Sequence, residues 1–136
     1  MRNILKKNEN MNARNKRLKI TLAAVSMSLS MTCHAQTIEQ VRKEIVRQRI
    51  PHAEIVLAQA RLETGNFTSR RCRVDHNLFG MKRGKRYAKY TRWQDSIRDY
   101  KERISSRYTG GNYYNFLKSI KYASDVHYIN KLRKFE

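Results

Sequence analysis

The sequence contains only two cysteines, one proline and five glycines among its 136 residues, and these shortages narrow the possible folds. Two cysteines cannot build the disulfide framework that replaces a hydrophobic core in small secreted domains. One proline and few glycines leave no linker of biased composition, and no internal repeat is visible. The chain therefore predicts one domain that is stabilised by an apolar core.

Acidic residues are also scarce. The chain has 11 aspartates and glutamates against 30 lysines and arginines, which gives a net charge of +19. Such an excess disfavours the compact state by self-repulsion, but it attracts polyanions. The polyanion is nucleic acid for an intracellular protein, and the cell wall or an anionic membrane surface for an exported bacterial-type protein.

The N-terminus favours export. Residues 1–19 are basic, residues 20–32 are apolar, and a small-x-small site ends at Ala35. These features are typical of a secretory signal peptide, and the apolar stretch is too short to span a membrane. The basic segment is long, so Met1 and Met11 are both candidates for the true start. A periplasmic or secreted protein is expected, with the wall or an anionic membrane surface as partner rather than nucleic acid.

Cleavage after Ala35 would leave a domain of residues 36–136. It would remove seven of the 30 basic residues and one of the 11 acids, so the domain has a net charge of +13. Only Cys72 remains, so no intramolecular disulfide is available. Cys72 with His76 resembles a thiol nucleophile pair, but a lone, partly buried cysteine is the more common case. The histidines are scattered singly, and neither a metal nor another cofactor is expected.

The central feature is an apolar segment that ends in a glutamate. The run Ile55-Val56-Leu57-Ala58 and the stop at Gly65 predict a helix from Pro51 to Glu63 that is buried on most sides. The partial negative charge of a helix C-terminus disfavours another anion by about 0.3–1 kcal/mol, and burial disfavours the ionised form further. A carboxylic acid that stays protonated can protonate a leaving oxygen, so we predict that Glu63 is a general acid. The alternative is an ion pair with one of the neighbouring arginines, Arg70, Arg71 or Arg73.

Capping residues and apolar spacing predict the other elements. Residues 81–90, with a turn at Arg83-Gly84, predict a short two-stranded hairpin. Five more helices are expected to start at Thr37, Thr68, Thr91, Asn112 and Ser124. The predicted class is α+β, mostly α, with one small hairpin.

Three motifs occur in the order of a known family. The central helix ends in Glu63-Thr64-Gly65, the segment Asn77-Leu78-Phe79-Gly80-Met81-Lys82 follows, and Tyr122-Ala123-Ser124-Asp125 with Tyr128 comes last. This order resembles the glucosaminidase domain of glycoside hydrolase family 73, the autolysin- and flagellar-muramidase-like peptidoglycan hydrolases. The resemblance covers nearly the whole chain after residue 36. It implies a lysozyme-like helical body, a cleft beside the hairpin lobe, and an endo-β-N-acetylglucosaminidase that acts on peptidoglycan glycan strands.

The resemblance also assigns catalytic residues. It places the acid at Glu63 and a tyrosine near the active site at Tyr122. Hydrolysis of a β-1,4 bond usually takes two carboxyl groups, and larger relatives are thought to supply the second from the hairpin lobe. Here residues 81–91 contain no acid, and Asp75 and Asp95 only flank them. We therefore hypothesise that the 2-acetamido group of the substrate attacks the anomeric carbon, and that Tyr122 orients this amide or stabilises charge.

Five further residues are candidate sugar contacts. Asn77 and Phe79 match motif residues that shape the cleft floor, although Asn77 also suits a turn and Phe79 a core. Tyr128 matches the closing motif, although an aromatic residue on a short helix often packs. Tyr87 and Tyr90 on the hairpin present aromatic faces that suit a pyranose ring.

The alternatives differ in how the basic surface is used. Basic hairpin residues either hold an anionic wall polymer or stem-peptide carboxylates, or they form a solvated face; they are Lys82, Arg83, Lys85, Arg86 and Lys89. A lytic transglycosylase or muramidase on the same fold is the nearest alternative enzyme. A non-catalytic cationic wall-binding module is the alternative outside enzymes, and a nucleic-acid binder lacks any recognised motif. A monomer is expected.

Overall fold

The computed structural model describes residues 36–136, so the predicted signal peptide lies outside the described residues. Within 36–136, six α-helices accompany one two-stranded antiparallel sheet. They are, in chain order, α1 (Ile38–Arg47), α2 (Ala53–Thr64), α3 (Arg70–Asp75), β1 (Lys82–Arg83), β2 (Arg86–Tyr87), α4 (Trp93–Arg103), α5 (Tyr113–Ser119) and α6 (Tyr128–Leu132). Short 3₁₀ helices follow α4 (Ser105–Arg107) and α6 (Arg133–Phe135). None of the helices in this part of the chain combines the length and the apolarity that crossing a membrane requires. The predicted class, α+β and mostly α with one hairpin, is confirmed.

Helix α2 lies at the centre of the domain. Its residues Val56 to Ala60 are all buried, as the apolar run predicts, and it packs against α1 and α6. The helix ends at Gly65, whose φ of +57° supplies the left-handed stop. It begins at Ala53 rather than at Pro51, because His52 has a φ of +54° and its ring packs against Tyr108 and Tyr113.

Several predicted helix starts shift by a few residues. The Thr37 capping box of α1 is present, with both of its hydrogen bonds to Gln40. Helix α4 begins after Arg92 instead of Thr91, because the Asp95 carboxylate accepts a hydrogen bond from the Arg92 backbone N–H. The segment after Ser124 first forms a turn, so α6 begins only at Tyr128.

The hairpin is small, and a buried asparagine anchors it. Lys82 pairs with Tyr87 and Arg83 with Arg86. Outside the ladder, the Asn77 side chain donates to the carbonyls of Met81 and Ala88, both at 2.9 Å, and accepts from the Met81 N–H at 3.0 Å. These three bonds hold both ends of the hairpin to the helical body, so the lobe has a fixed position beside α2.

Candidate active site

Glu63 lines a groove whose volume is about 690 Å³. The groove is lined by the end of α2, the segment Phe79–Lys82, the hairpin, the region after α4, and residues 120–131. The Glu63 side chain is half-buried, because the core side of α2 faces inward and its last turn reaches the surface here. Gly80 lies directly opposite: a Cβ at this glycine would stand 3.4 Å from Oε2 of Glu63.

The surroundings of Glu63 favour its neutral form. Burial raises the pKa of this carboxyl group, while a hydrogen bond from the Tyr128 hydroxyl and the positive charge of Arg71 lower it, with a net upward shift. Glu63 makes no ion pair with any residue in 36–136, whereas Asp125, the other acid that lines the groove, pairs with Lys131. No arginine in residues 36–136 therefore forms the alternative ion pair with Glu63. The charge of Arg71 lowers the pKa of the carboxyl group only from a longer distance.

Buried hydrogen bonds connect Gln59 with Tyr128 and Tyr100 on the core side of Glu63. Gln59, one helical turn earlier on α2, is fully buried. Its amide nitrogen donates to the Tyr128 hydroxyl oxygen at 3.3 Å, and its oxygen accepts from the Tyr100 hydroxyl at 2.6 Å. Because the Tyr128 oxygen already accepts this bond, its own hydrogen is free for the Glu63 carboxyl group. Gln59 was not among the predicted site residues, and its i, i+4 spacing to Glu63 is the sequence signal that could have identified it.

Tyr122 and Tyr128 form an aromatic wall of the groove. Their ring centroids are 5.7 Å apart, and both residues line the cavity next to Glu63. The Tyr122 hydroxyl donates to the Phe79 carbonyl at 3.2 Å. Burial raises the pKa of both hydroxyl groups above the ordinary value for tyrosine, so both stay neutral hydrogen-bonding groups.

The predicted residues Asn77 and Phe79 are both buried. Asn77 is 1% exposed, lies outside the groove lining, and uses its amide on the hairpin backbone. This position supports the alternative role of holding the turn. Phe79 is among the residues that line the groove, and its buried ring stacks on Tyr100 with centroids 4.3 Å apart.

The two hairpin tyrosines have different surroundings. Tyr87 is 40% exposed and lines the groove, and the Arg71 guanidinium carbon lies 3.3 Å from its ring centroid. This cation–π contact fixes one face of the ring and connects α3 to the hairpin. Tyr90 lies outside the groove lining, and its hydroxyl donates to Asp99 at 2.7 Å.

A second carboxylate, Asp125, lines the same groove and was missed as a catalytic candidate. The Lys131 ammonium group, 2.5 Å away, and the backbone N–H of His127 hold the pKa of Asp125 below its ordinary value. The groove thus contains one carboxyl whose pKa is raised and one whose pKa is lowered, a division typical of acid–base sites. Asp75 and Asp95, which flank the hairpin, pair with Lys89 and with Arg92 and Arg98.

The described residues contain no cluster of side chains that could bind a metal ion. No three histidine, cysteine, aspartate or glutamate side chains come together in residues 36–136. Cys72 is buried, burial raises the pKa of its thiol, and its sulfur accepts a hydrogen bond from Gln36 at 2.6 Å. A thiolate nucleophile is therefore disfavoured at this position.

A small, mostly helical domain whose groove holds a half-buried glutamate beside aromatic residues has the features of a glycoside hydrolase. The chain belongs to the glucosaminidase family, because the family model described as mannosyl-glycoprotein endo-beta-N-acetylglucosaminidase matches residues 38–135. This match confirms the resemblance to the glucosaminidase domain of glycoside hydrolase family 73. It supports glycoside hydrolase activity, with peptidoglycan as the substrate that the family implies. No curated protein and no solved structure matches the chain.

Proposed function

We propose that this protein is an endo-β-N-acetylglucosaminidase that cleaves the β-1,4 glycosidic bond of peptidoglycan, with Glu63 as general acid. The observation that carries the proposal is the position of Glu63: half-buried in the groove, without an ion pair in the described residues, and with a raised pKa. Such an enzyme meets its substrate outside the cytoplasm, which agrees with the predicted signal peptide in residues 1–35.

The first step is proton donation. Burial raises the pKa of Glu63, which favours the protonated form that a general acid needs. Glu63 gives its proton to the glycosidic oxygen as the bond to the leaving sugar breaks. The carboxylate that results is stabilised by the Tyr128 hydroxyl, which Gln59 holds in a donating orientation. Tyr128 and Gln59 therefore stabilise the negative charge on Glu63 as the proton leaves.

The acetamido group of the substrate supplies the nucleophile. Its carbonyl oxygen attacks the anomeric carbon while the leaving oxygen takes the Glu63 proton, which gives a cyclic oxazolinium ion. Water then opens this ring and returns a proton to the Glu63 carboxylate. The Tyr122 hydroxyl donates to the Phe79 carbonyl, so its lone pairs are free to accept the amide N–H and orient the group. Two displacements at one carbon give net retention.

Asp125 carries a second candidate mechanism, because it is an ionised carboxylate on the same groove. As a general base it would activate water for a single displacement with inversion. Nuclear magnetic resonance of the first anomer released separates the two mechanisms. The β-anomer supports the acetamido route, whereas the α-anomer excludes it and supports a general base such as Asp125.

The experiment that tests the proposed function is digestion of purified sacculi by wild type and by Glu63→Gln. We expect wild type to release reducing N-acetylglucosamine ends, and Glu63→Gln to be slower by about 10²–10⁴-fold. Glu102→Gln is the matched control, because Glu102 is exposed, unpaired among the described residues and outside the Glu63 groove. It should keep full activity.

Mass analysis of the released ends distinguishes the alternatives. Anhydromuramic ends would identify a lytic transglycosylase, and reducing muramic ends a muramidase. Binding to sacculi without any release would identify a non-catalytic wall-binding module. Salt-sensitive binding to DNA without wall hydrolysis would support the nucleic-acid alternative.

A further inference from the structure

The hydrogen bonds of Gln59 continue into the core through two more buried tyrosines. Tyr100 on α4 and Tyr113 at the start of α5 are at most 1% exposed. Their hydroxyl oxygens lie 3.0 Å apart, and the Tyr100 hydroxyl donates to the Gln59 side-chain oxygen at 2.6 Å. Gln59 in turn donates to Tyr128 on α6. Residues of four helices thus form one buried hydrogen-bonded network, which ends beside Glu63.

The number of available hydrogens fixes the direction of each bond in this network. A tyrosine hydroxyl has one hydrogen, and the side-chain oxygen of a glutamine can only accept. Because the hydrogen of Tyr100 is used on Gln59, Tyr113 must be the donor in its bond with Tyr100. The Tyr128 oxygen accepts from Gln59, so its hydrogen remains for Glu63. All donors therefore point from the core toward the catalytic carboxyl group.

The orientation of the Gln59 amide decides whether Glu63 receives a hydrogen bond. If the amide were turned over, its oxygen would face Tyr128 and accept the hydrogen that Glu63 otherwise receives. The Tyr100 hydroxyl favours the observed orientation, because it supplies the donor that the buried Gln59 oxygen needs. Burial raises the pKa of Tyr100 well above its ordinary value, so this donor keeps its hydrogen throughout the pH range of catalysis.

We infer that Tyr100 is a positioning residue for the acid: its hydroxyl orients Gln59 so that Tyr128 donates to Glu63. The inference rests on the proposed function, and it adds a residue that regulates the acid from within the core. Tyr100 is fully buried and is not among the residues that line the groove, so its hydroxyl acts on Glu63 through these two partners. A donor held toward the carboxylate stabilises the charge that forms when the proton leaves.

Other titratable and charged groups also face Glu63, and they are independent of the Tyr100 hydroxyl. Besides burial and the Tyr128 hydroxyl, the charge of Arg71 on α3 affects the pKa of the carboxyl group. Tyr122 lines the groove next to it, and the charged residues of the groove are Lys82, Arg103, Arg107, Lys121, Asp125 and Lys131. Within residues 36–136, none of these side chains forms a hydrogen bond with Gln59 or Tyr100. A change in the titration of Glu63 on removal of the Tyr100 hydroxyl therefore reports on the network.

Tyr100→Phe tests the inference, because it removes the hydroxyl group and keeps the ring that stacks on Phe79. The titration of Glu63 is followed by carbon-13 nuclear magnetic resonance of labelled glutamate in the free protein, with Glu63→Gln to assign the signal. We expect the pKa of Glu63 to rise by about 0.5, and the descending limb of the pH profile of kcat/KM to move equally to higher pH. Tyr108→Phe is the matched control and should move neither, since the Tyr108 hydroxyl donates to the Gly111 carbonyl, outside the network.

A double variant separates positioning from a merely structural role. In a Gln59→Met background Tyr100 has no amide to orient, so adding Tyr100→Phe should leave the pKa of Glu63 at the value that Gln59→Met alone gives. An unchanged titration of Glu63 in Tyr100→Phe overturns the inference, and so do shifts that add in the double variant. The titration needs no substrate, so a Glu63→Gln enzyme that kept its activity would refute the proposed function and leave the effect of Tyr100 on Glu63 standing.

Discussion

At the scale of single residues, the chemistry depends on how Glu63 is surrounded. Its position at the end of an apolar helix could be read from the sequence, because the helix and its stop at Gly65 are local features. Gln59 and Asp125 could not be assigned in the same way. The partners of Gln59 are 41 and 69 residues away along the chain, and Asp125 reaches the groove only through the fold.

The buried hydrogen bonds of Gln59 predict a change in pH dependence. Activity requires the protonated acid, so it is present at low pH and lost as pH rises through the raised pKa of Glu63. Gln59→Met keeps the size of the side chain but removes the donor that directs the Tyr128 hydroxyl. The carboxylate then loses stabilisation, and the pKa of Glu63 rises further. We expect the descending limb of the pH profile of kcat/KM to move to higher pH, and kcat to fall by about tenfold.

Leu57→Met is the control for this variant, because Leu57 is equally buried on α2 and makes no hydrogen bond with its side chain. It should lower stability without moving the limb. If the descending limb of the pH profile does not move in Gln59→Met, then Gln59 only fills space in the core.

At the scale of elements, the sequence predicts what is decided locally. The sequence predicts the hairpin, although its turn lies at Gly84-Lys85, one residue later than the predicted Arg83-Gly84, and it predicts α1 from the Thr37 capping box. The predicted start of α2 at Pro51 is two residues early, because the packing of His52 on Tyr108 and Tyr113 decides where the helix begins and these contacts are remote in sequence. The hairpin also depends on Asn77, for which the sequence allows two roles, a turn residue or a sugar contact.

The Asn77 side chain gives a prediction that separates these two roles. Asn77→Ala removes three buried hydrogen bonds and leaves backbone groups of Met81 and Ala88 without partners. We expect the free energy of unfolding to fall by about 2–4 kcal/mol, measured by urea denaturation. Asn130→Ala, at an exposed position of α6, should change it by less than about 0.5 kcal/mol. Unchanged stability with a raised KM would instead make Asn77 a substrate contact.

Two glycines beside the site form a matched pair. Gly80 and Gly84 both have a φ of +61°, but only a Cβ at Gly80 would meet a side chain, Oε2 of Glu63 at 3.4 Å. Each change to alanine should cost about 1 kcal/mol of stability because of the left-handed backbone. Only Gly80→Ala should also reduce kcat, by up to about tenfold, because only its methyl group would lie in van der Waals contact with the Glu63 carboxyl group. Equal activities of the two variants, measured on sacculi, would contradict the close approach of Gly80 to the acid.

At the scale of the whole molecule, most acids in residues 36–136 form ion pairs and Glu63 does not. Residues 36–136 contain ten acids and 23 basic residues, and seven of the acids form ion pairs. Glu63 is among the three that do not, although cations are abundant. The cations of these pairs are exposed to solvent, which limits what each pair contributes to stability. The remaining positive charge is therefore free to act over longer distances, on the substrate as a whole.

This division predicts opposite salt responses for binding and for chemistry. With a charge of +13 on residues 36–136, attraction to anionic sacculi should weaken strongly as salt shortens the range of electrostatic forces. We expect the affinity for sacculi, measured by co-sedimentation, to fall at least tenfold between about 0.05 M and 0.5 M sodium chloride. The kcat on saturating neutral oligomers of N-acetylglucosamine should stay within about twofold, because the Glu63 proton is governed by burial and by short-range contacts. A kcat that fell in parallel with binding would mean that surface charge sets the state of the acid, and the role of burial at Glu63 would have to be abandoned.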